Sequence, residues 1–213
     1  MPVGAERGLQ MSNRRRQILE ALAQELERRP GERITTARLA AVLGVSEAAL
    51  YRHFPSKAKM LEALIEFAED SVFSLANRIL AEDLTPAKRC ERLLGMFISF
   101  ADKNPGITRV LTGDALVGEH ERLRARAAQL FDRLETQLRQ ILRDARQNDP
   151  ALLRPDAVSA VANLMMAVAE GRIAQYRRSG FTRSPLDGWP EQWRELAQGI
   201  FSDRDALSGR GPD

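Results

Sequence analysis

Apolar residues recur at three- and four-residue steps along most of the chain, which predicts a series of amphipathic helices. The first set is Ile18, Leu19, Leu22 and Leu26, with a break expected at Pro30-Gly31. Glycines and prolines divide the rest of the pattern. The predicted helices span 13–29, 36–43, 47–54, 57–81, 86–103, a short piece through 111 after a loop at 104–106, 123–147, 155–178 and 192–201. Residues 180–190 are expected to form a loop and 202–213 to fray.

Composition supports the same architecture. Ala, Leu and Arg, all good helix formers, make up 84 of 213 residues, whereas Val and Thr are scarce. We therefore expect an all-α fold with an N-terminal three-helix helix-turn-helix domain and a C-terminal helical bundle that forms a homodimer. The expected boundaries are a flexible N-terminus (1–12), the DNA-binding domain (13–56), the dimerisation and partner-binding domain (57–203) and a flexible tail (204–213).

Several classes of protein are disfavoured. Cys90 is the single cysteine, so an intrachain disulfide or a CxxC zinc site is excluded. The uncharged run 157–169 is shorter than the roughly 20 residues that cross a bilayer, and residues 1–13 lack a signal-peptide pattern. We expect a cytoplasmic protein that does not enter the membrane.

Catalysis is not expected either. The two histidines, His53 and His120, are far apart in the sequence, and none of the common hydrolase, metalloprotease or nucleotide-binding motifs occurs. The sequence therefore predicts no catalytic residue, no metal and no cofactor. Cys90 is expected to be a small buried hydrophobic residue.

Charge is distributed unevenly along the chain. Residues 1–60 contain 11 Lys and Arg against 6 Asp and Glu, a net charge of +5, whereas the rest of the chain carries 21 against 23, a net charge of −2. A basic first third on a mildly acidic remainder is typical of a nucleic-acid-binding domain joined to a domain with another role.

Residues 35–54 have the spacing of a helix-turn-helix. Ala40 is small enough for two helices to cross closely, and Gly44 can adopt the positive φ of the turn. If Leu50 and Phe54 face inward, the opposite face of the third helix can reach base edges and phosphates. A helical hairpin inside an unrelated bundle is the alternative. The candidate DNA-binding residues, with their basic and hydroxyl neighbours, are Arg14, Thr35, Thr36, Ser46, Ala48, Tyr51, Arg52, His53 and Lys57.

The segment Leu-Tyr-Arg-His-Phe-Pro-Ser-Lys at 50–57 resembles the end of the helix-turn-helix in TetR-type regulators, which are dimeric and all-helical. The resemblance implies that the protein binds palindromic double-stranded DNA. Four stretches are similar to one branch of that family in particular, at 33–57, 64–67, 104–113 and 130–135. This resemblance is dense from Arg14 to Arg143. It implies that the protein binds sites scattered over the chromosome, on the nucleoid. It also implies that the DNA-bound protein prevents the tubulin-like division protein FtsZ from forming a septum there.

The fourth helix carries a possible partner surface. Its predicted core stripe includes Leu64 and Leu75, and Glu62, Glu66, Glu69 and Asp70 form an acidic stripe in which Phe73 lies exposed or covered. Between them, Phe67, Ser71, Ser74 and Arg78 form a third stripe, although spacing alone also allows Phe67 to be core. The resemblance implies that the FtsZ C-terminal tail lies between the fourth and fifth helices, in contact with Phe67, Ser71, Leu94, Lys103 and Asn104.

An inducer-regulated repressor is the alternative function, because many TetR-type proteins enclose a small molecule in the C-terminal bundle. Phe97, Leu164, Met165 and Met166 are the candidates for lining such a cavity, or else belong to the core or the dimer interface. We expect dimerisation through the last two long helices. The small residues Ala157, Ala160, Val161 and Ala169 would allow a symmetry mate to approach closely.

Overall fold

The computed structural model describes residues 13–29 and 31–201, and within them the chain is helical without any strand. The all-α prediction is therefore confirmed. The helices are α1 (Asn13–Arg28), α2 (Thr36–Val42), α3 (Glu47–Tyr51), α4 (Lys57–Leu80), α5 (Pro86–Lys103), α6 (Pro105–Leu111), α7 (Glu121–Asn148), α8 (Ala157–Arg178) and α9 (Trp189–Phe201), with a 3-10 turn at Asp114–Leu116. The predictions of flexible ends at 1–12 and 204–213, of fraying at 202–213 and of a break at Pro30 concern residues outside these ranges.

Hydroxyl side chains set the starts of several helices. Thr35, Ser46, Ser56 and Thr85 each accept a hydrogen bond from the backbone N–H three residues later, at the first turns of α2, α3, α4 and α5. Each bond satisfies a donor that the first helical turn leaves unpaired. The prediction that Ser46 caps the third helix is confirmed.

Prolines explain the main differences in helix boundaries. The third helix was predicted through Phe54 but ends at Tyr51, because Pro55 disfavours helical geometry in the residue before it. The sixth helix starts at Pro105, inside the predicted loop, since proline suits the first helical position. The last helix starts at Trp189, three residues earlier than expected.

A single hydrophobic core runs through both predicted domains. In the C-terminal part, α5 packs against α4, α7, α8 and α9. In the N-terminal part, α1 packs most extensively on α6, so the N-terminal helices rest directly on the bundle. Gly106 permits this approach, because a Cβ atom there would lie 2.0 Å from the carbonyl oxygen of Ala23.

The long apolar helix α8 has two different sides. It is long and apolar enough to cross a bilayer, with a mean hydropathy of 1.3 in its most apolar window, but half of that window is buried inside the protein. The other side is exposed and carries small residues around Leu164, which is 48% exposed. This division is typical of a helix that serves both the core and an interface.

Candidate nucleic-acid interface and partner groove

Helices α2 and α3 cross as the spacing predicted. Gly44 has a φ of +64°, the positive value that the turn requires, and Ala40 is buried where the helices meet. Leu39, Leu50 and Phe54 are buried below them. The side of α3 that carries Leu50 therefore packs against the core, and the opposite side faces solvent.

The outward face of α3 presents Ala48, Tyr51 and Arg52, all of which are exposed. Tyr51 donates a hydrogen bond of 3.2 Å to the Thr36 hydroxyl, and that hydroxyl donates one of 2.6 Å to Glu47 Oε2. These bonds tie α3 to the start of α2. Thr36 was predicted to contact a phosphate, and its two hydrogen bonds also orient the outward face of α3.

Four further predicted contact residues have partners inside the protein. The hydroxyls of Thr35 and Ser46 cap α2 and α3, although both residues remain exposed. Arg14 donates a 3.0 Å hydrogen bond to Gln17 on the same helix. The carbonyl of His53 accepts a hydrogen bond of 3.1 Å from Arg15 Nη1.

Arg15 and Glu119 are positions that the candidate set left out. The guanidinium of Arg15 lies 4.4 Å from the centre of the Phe54 ring, which ties α1 to the end of the α3 segment. Arg15 lies in the basic run 14–16, and that run was the sequence signal that could have identified it. Glu119 forms an ion pair of 2.7 Å with Lys57, and nothing in the sequence joined these two residues, which are 62 positions apart.

A buried carboxylate joins α1 to α2. Glu25 Oε2 accepts a hydrogen bond of 2.7 Å from Arg38 Nε, and Arg28 lies 3.5 Å from its other oxygen. The hydrogen bond from Arg38, stronger in effect than the opposing burial, lowers the pKa of Glu25. The ionised pair holds the two helices together at neutral pH.

The second surface lies along α4 and α5. Phe67 is 39% exposed, so it is not a core residue. It lines a pocket of about 240 Å³ that α1 forms with α4, the end of α5 and the start of α6, where Lys103 and Asn104 also lie. Ser71, one turn along, is half-buried and donates a hydrogen bond to the Phe67 carbonyl. Leu94 is only 1% exposed and packs in the core, so its predicted contact with a partner stays a prediction.

A second cavity lies toward the other end of α4, between α4, α5 and α9. Leu75, predicted as core, is 36% exposed and lines a cavity of about 490 Å³ with Met96, Arg78 and Trp189. Periodicity placed Leu75 within the apolar stripe, but α5 and α9 leave an open cavity beside it. Leu75 and Met96 are thus the apolar groove residues that sequence reasoning missed.

The rest of the acidic stripe on α4 is partly covered by α7. Glu69 is buried and pairs with Arg126, whereas Phe73 is covered by the Arg133 guanidinium at 3.7 Å from the ring centre. These contacts settle the open question about Phe73.

Burial raises the pKa of the Cys90 thiol to about 12, so Cys90 is not a nucleophile at neutral pH.

The residues proposed for an inducer cavity and for the dimer need correction. Phe97, Met165 and Met166 are buried core residues, and Leu164 faces solvent. Of the small residues predicted at the dimer interface, Ala157, Val161 and Ala169 are buried within the protomer, on the side of α8 that packs against α7 and α5. The exposed side of α8 instead carries Ala160, Leu164, Ala167 and Gly171.

A capped helix-turn-helix resting on a bundle of longer helices defines a TetR-type regulator. Residues 18–64 match the family described as "Bacterial regulatory proteins, tetR family", and residues 85–200 match "Tetracyclin repressor-like, C-terminal domain". The protein named nucleoid occlusion factor SlmA in Alteromonas mediterranea is 54% identical over 187 residues, covering 88% of this chain and 95% of the relative. The SlmA protein of Marinomonas sp. is 54% identical over 194 residues, covering 91% and 98%. The chain belongs to the nucleoid occlusion factor family within the TetR-type regulators.

Solved structures confirm the fold. FadR from Bacillus halodurans, a regulator of fatty acid degradation, is similar with a TM-score of 0.74 at 13% identity, over 90% of this chain and 98% of FadR. PfmR, a TetR family transcriptional regulator from Thermus thermophilus, is similar with a TM-score of 0.69 at 23% identity, over 86% of this chain and 98% of PfmR. At these sequence identities, the similarity shows only that the folds are alike.

Proposed function

We propose that this protein binds palindromic chromosomal DNA as a homodimer and, when bound there, antagonises FtsZ assembly so that no septum forms over the nucleoid. The observation that carries the proposal is the match, over nearly the whole chain, to relatives named nucleoid occlusion factor. The two exposed surfaces described above supply the means. One is suited to DNA and the other to a peptide.

The α3 face supports the DNA-binding half of the proposal. Arg52 can donate two hydrogen bonds to guanine or to a phosphate, and Ala48 offers a small apolar surface to a thymine methyl group. Tyr51, held by Thr36, is suited to a phosphate contact. Two such faces related by a two-fold axis would enter successive major grooves about one helical turn apart.

The exposed side of α8 supports dimerisation. Ala160, Ala167 and Gly171 leave the backbone accessible on one stripe, and Leu164 adds an exposed apolar side chain to it. A two-fold axis through this stripe would pair it with itself. We assign the dimer interface to this stripe.

The groove between α4 and α5 supports the partner-binding half. Ile79 lines the cavity between α4, α5 and α9, and Phe67 lines a separate pocket between α4, α1 and α6. The two residues are twelve positions apart on α4, or about 18 Å at 1.5 Å per residue. That length accommodates about five or six residues of an extended peptide. Lys103 at one end supplies a positive charge for an acidic residue of a bound peptide.

The alternative is a repressor released by a small molecule. It draws on a cavity of about 690 Å³ between α6, α7 and α8, lined by Phe131, Ile173, Arg124 and Glu170. Phe97, Leu164, Met165 and Met166, the residues expected to line an inducer cavity, are not among the residues that line it. The α4–α5 groove therefore remains the better supported ligand site.

One experiment separates the two functions. Duplexes selected by the protein from a random library would be immobilised, and a fluorescent peptide of the FtsZ C-terminal tail would be titrated onto the protein–DNA complex. Saturable peptide binding that is lost in a folded Phe67→Ala variant supports nucleoid occlusion. DNA binding without peptide binding would favour the inducer-regulated repressor, and absence of DNA binding would contradict both.

A further inference from the structure

Lys57 and Glu119 form an ion pair that joins the DNA-binding helices to the bundle. Lys57 is the first residue of α4, and its Nζ lies 2.7 Å from Glu119 Oε1. Both side chains are largely enclosed, 26% and 19% exposed respectively. Glu119 comes from the loop 117–120, between the 3-10 turn and α7, which we name the clasp loop.

The clasp loop contacts a second basic residue of the DNA-binding part. Gly118 has a φ of +79°, and a Cβ atom there would lie 2.6 Å from Arg33 Nη2. The loop can approach Arg33 this closely because residue 118 has no side chain. Arg33, Lys57 and Glu119 line one cavity of about 210 Å³. The clasp loop thus lies against two cations of the basic N-terminal third.

We propose that Glu119 is an internal competitor of the DNA phosphates for Lys57 and thereby sets the affinity of this protein for DNA. The inference rests on the proposed DNA-binding function. Lys57 lies five residues after Arg52, at the amino end of α4, where a lysine and the free N–H groups of the helix start favour an anion. A carboxylate and a phosphate oxygen offer the lysine amine the same kind of charge-assisted hydrogen bond.

Competition follows from the charge balance. In the free protein the Lys57 charge is already compensated by Glu119, so a phosphate contact gains less than it would from an uncompensated lysine. If Lys57 moves fully to a phosphate, Glu119 loses its partner and its negative charge lies near the DNA. The resulting repulsion makes DNA binding less favourable. Removing the Glu119 charge should therefore strengthen DNA binding, whereas loss of an ordinary structural ion pair would weaken it.

The test uses Glu119→Gln, Lys57→Gln, the double variant and the control Glu121→Gln, which removes a charge from an exposed residue two positions away at the start of α7. Dissociation constants for a library-selected duplex would be measured by fluorescence anisotropy at fixed salt, and melting temperatures would verify folding. We expect Glu119→Gln to tighten binding by about fivefold per protomer, the equivalent of one modest ion pair. Glu121→Gln should change it less than twofold.

The double variant distinguishes direct competition from a general change in charge. If Glu119 acts through Lys57, then Glu119→Gln should have no effect in the Lys57→Gln background, since the two changes are coupled. An equal gain in both backgrounds would show long-range repulsion and overturn the proposal, as would weaker binding by a folded Glu119→Gln protein. If the wild-type protein selects no duplex at all, the proposed function fails instead, and that result is distinct from every outcome above.

Discussion

The Arg109 guanidinium donates a hydrogen bond of 2.6 Å to the carbonyl oxygen of Leu26, which lies 83 residues earlier in the chain. It also donates to the Arg29 carbonyl at 2.8 Å and to Asp114 at 2.6 Å. The carbonyls at the end of α1 have no partner within the helix, so a buried cation from α6 satisfies them. Arg109 thereby fixes the DNA-binding helices to the bundle.

We expect Arg109→Met to destabilise the protein by about 3–5 kcal/mol, because it removes the donor to the Leu26 carbonyl and the partner of Asp114. The Arg29 carbonyl keeps the hydrogen bond from the Glu32 N–H. Arg109→Lys should recover only part of that loss, since an ammonium cannot reproduce the fork of the guanidinium. Urea denaturation followed by circular dichroism measures the free energy of unfolding of both variants. A loss below about 1 kcal/mol for Arg109→Met would contradict the structural role.

The close approach of α1 and α6 at Gly106 leads to a second prediction. An alanine at 106 would place its Cβ 2.0 Å from the Ala23 carbonyl oxygen, so the two helices would have to separate. We expect Gly106→Ala to cost about 3 kcal/mol or more, at the upper end of overpacking effects. The matched control is Gly199→Ala in α9, where no atom lies within 4 Å of the added Cβ. That change should instead stabilise the helix by about 0.5–1 kcal/mol, and thermal denaturation of the two variants tests the contrast.

Arg52 gives the most direct test of the α3 face. We expect Arg52→Ala to weaken binding to a selected duplex by about 1–3 kcal/mol if the guanidinium contacts a base. Arg52 is exposed, so the melting temperature should not change. Arg194→Ala in α9 removes another exposed arginine and serves as the control. Equal affinities for both variants and the wild type, measured by anisotropy, would mean that α3 does not face DNA.

Phe67 and Leu94 separate the partner groove from the core. Phe67→Ala truncates a side chain that is 39% exposed and should lower stability only modestly, yet weaken binding of the tail peptide by about 2 kcal/mol if the ring is an anchor. Leu94→Ala truncates a side chain that is 1% exposed and should cost about 2–5 kcal/mol of stability. Calorimetric unfolding and peptide titration should be run on both. A large stability loss for Phe67→Ala without a loss of peptide affinity would contradict the groove assignment.

Local sequence signals predicted the helices well where they acted alone. The Gly44 turn, the Ser46 cap and the start of α5 at Pro86 all lie where local chemistry placed them. The end of α3 was misjudged because the amphipathic pattern continues to Phe54, whose buried side chain packs from a non-helical backbone. Burial there was predictable, but the conformation was not.

Contacts between distant segments were not predictable from the sequence. Leu75 is exposed because α5 and α9 leave an open cavity beside it. Periodicity gives the width of an apolar stripe but does not show which part of it a neighbouring helix covers. Lys57 was expected to be open to a phosphate, and its ion pair with Glu119 depends on how the clasp loop folds back. Leu94 was placed in the groove by resemblance, although the packing of α5 turns it inward.

The last prediction concerns acid stability and Glu25. Its pKa is lowered in the folded protein, chiefly by the hydrogen bond from Arg38, so the unfolded chain binds a proton more readily than the folded one. The stabilisation is therefore present above the unfolded pKa, near 4.5, and is lost as the pH falls through the lower folded value. At pH 7, Glu25→Gln should lose about 1.5–3 kcal/mol, the usual contribution of a hydrogen bond to a charged group.

The pH profile separates this ion pair from simple packing. As the pH is lowered below 4.5, the stability of the wild type should approach that of Glu25→Gln, because protonation then removes the same charge that the substitution removes. The control is Glu20→Gln, an exposed residue on the same helix, for which the difference from wild type should be small throughout. Urea denaturation at several pH values between about 3 and 7 provides the comparison. A difference between Glu25→Gln and the wild type that stays constant across this range would show that Glu25 acts through its shape and not through its charge.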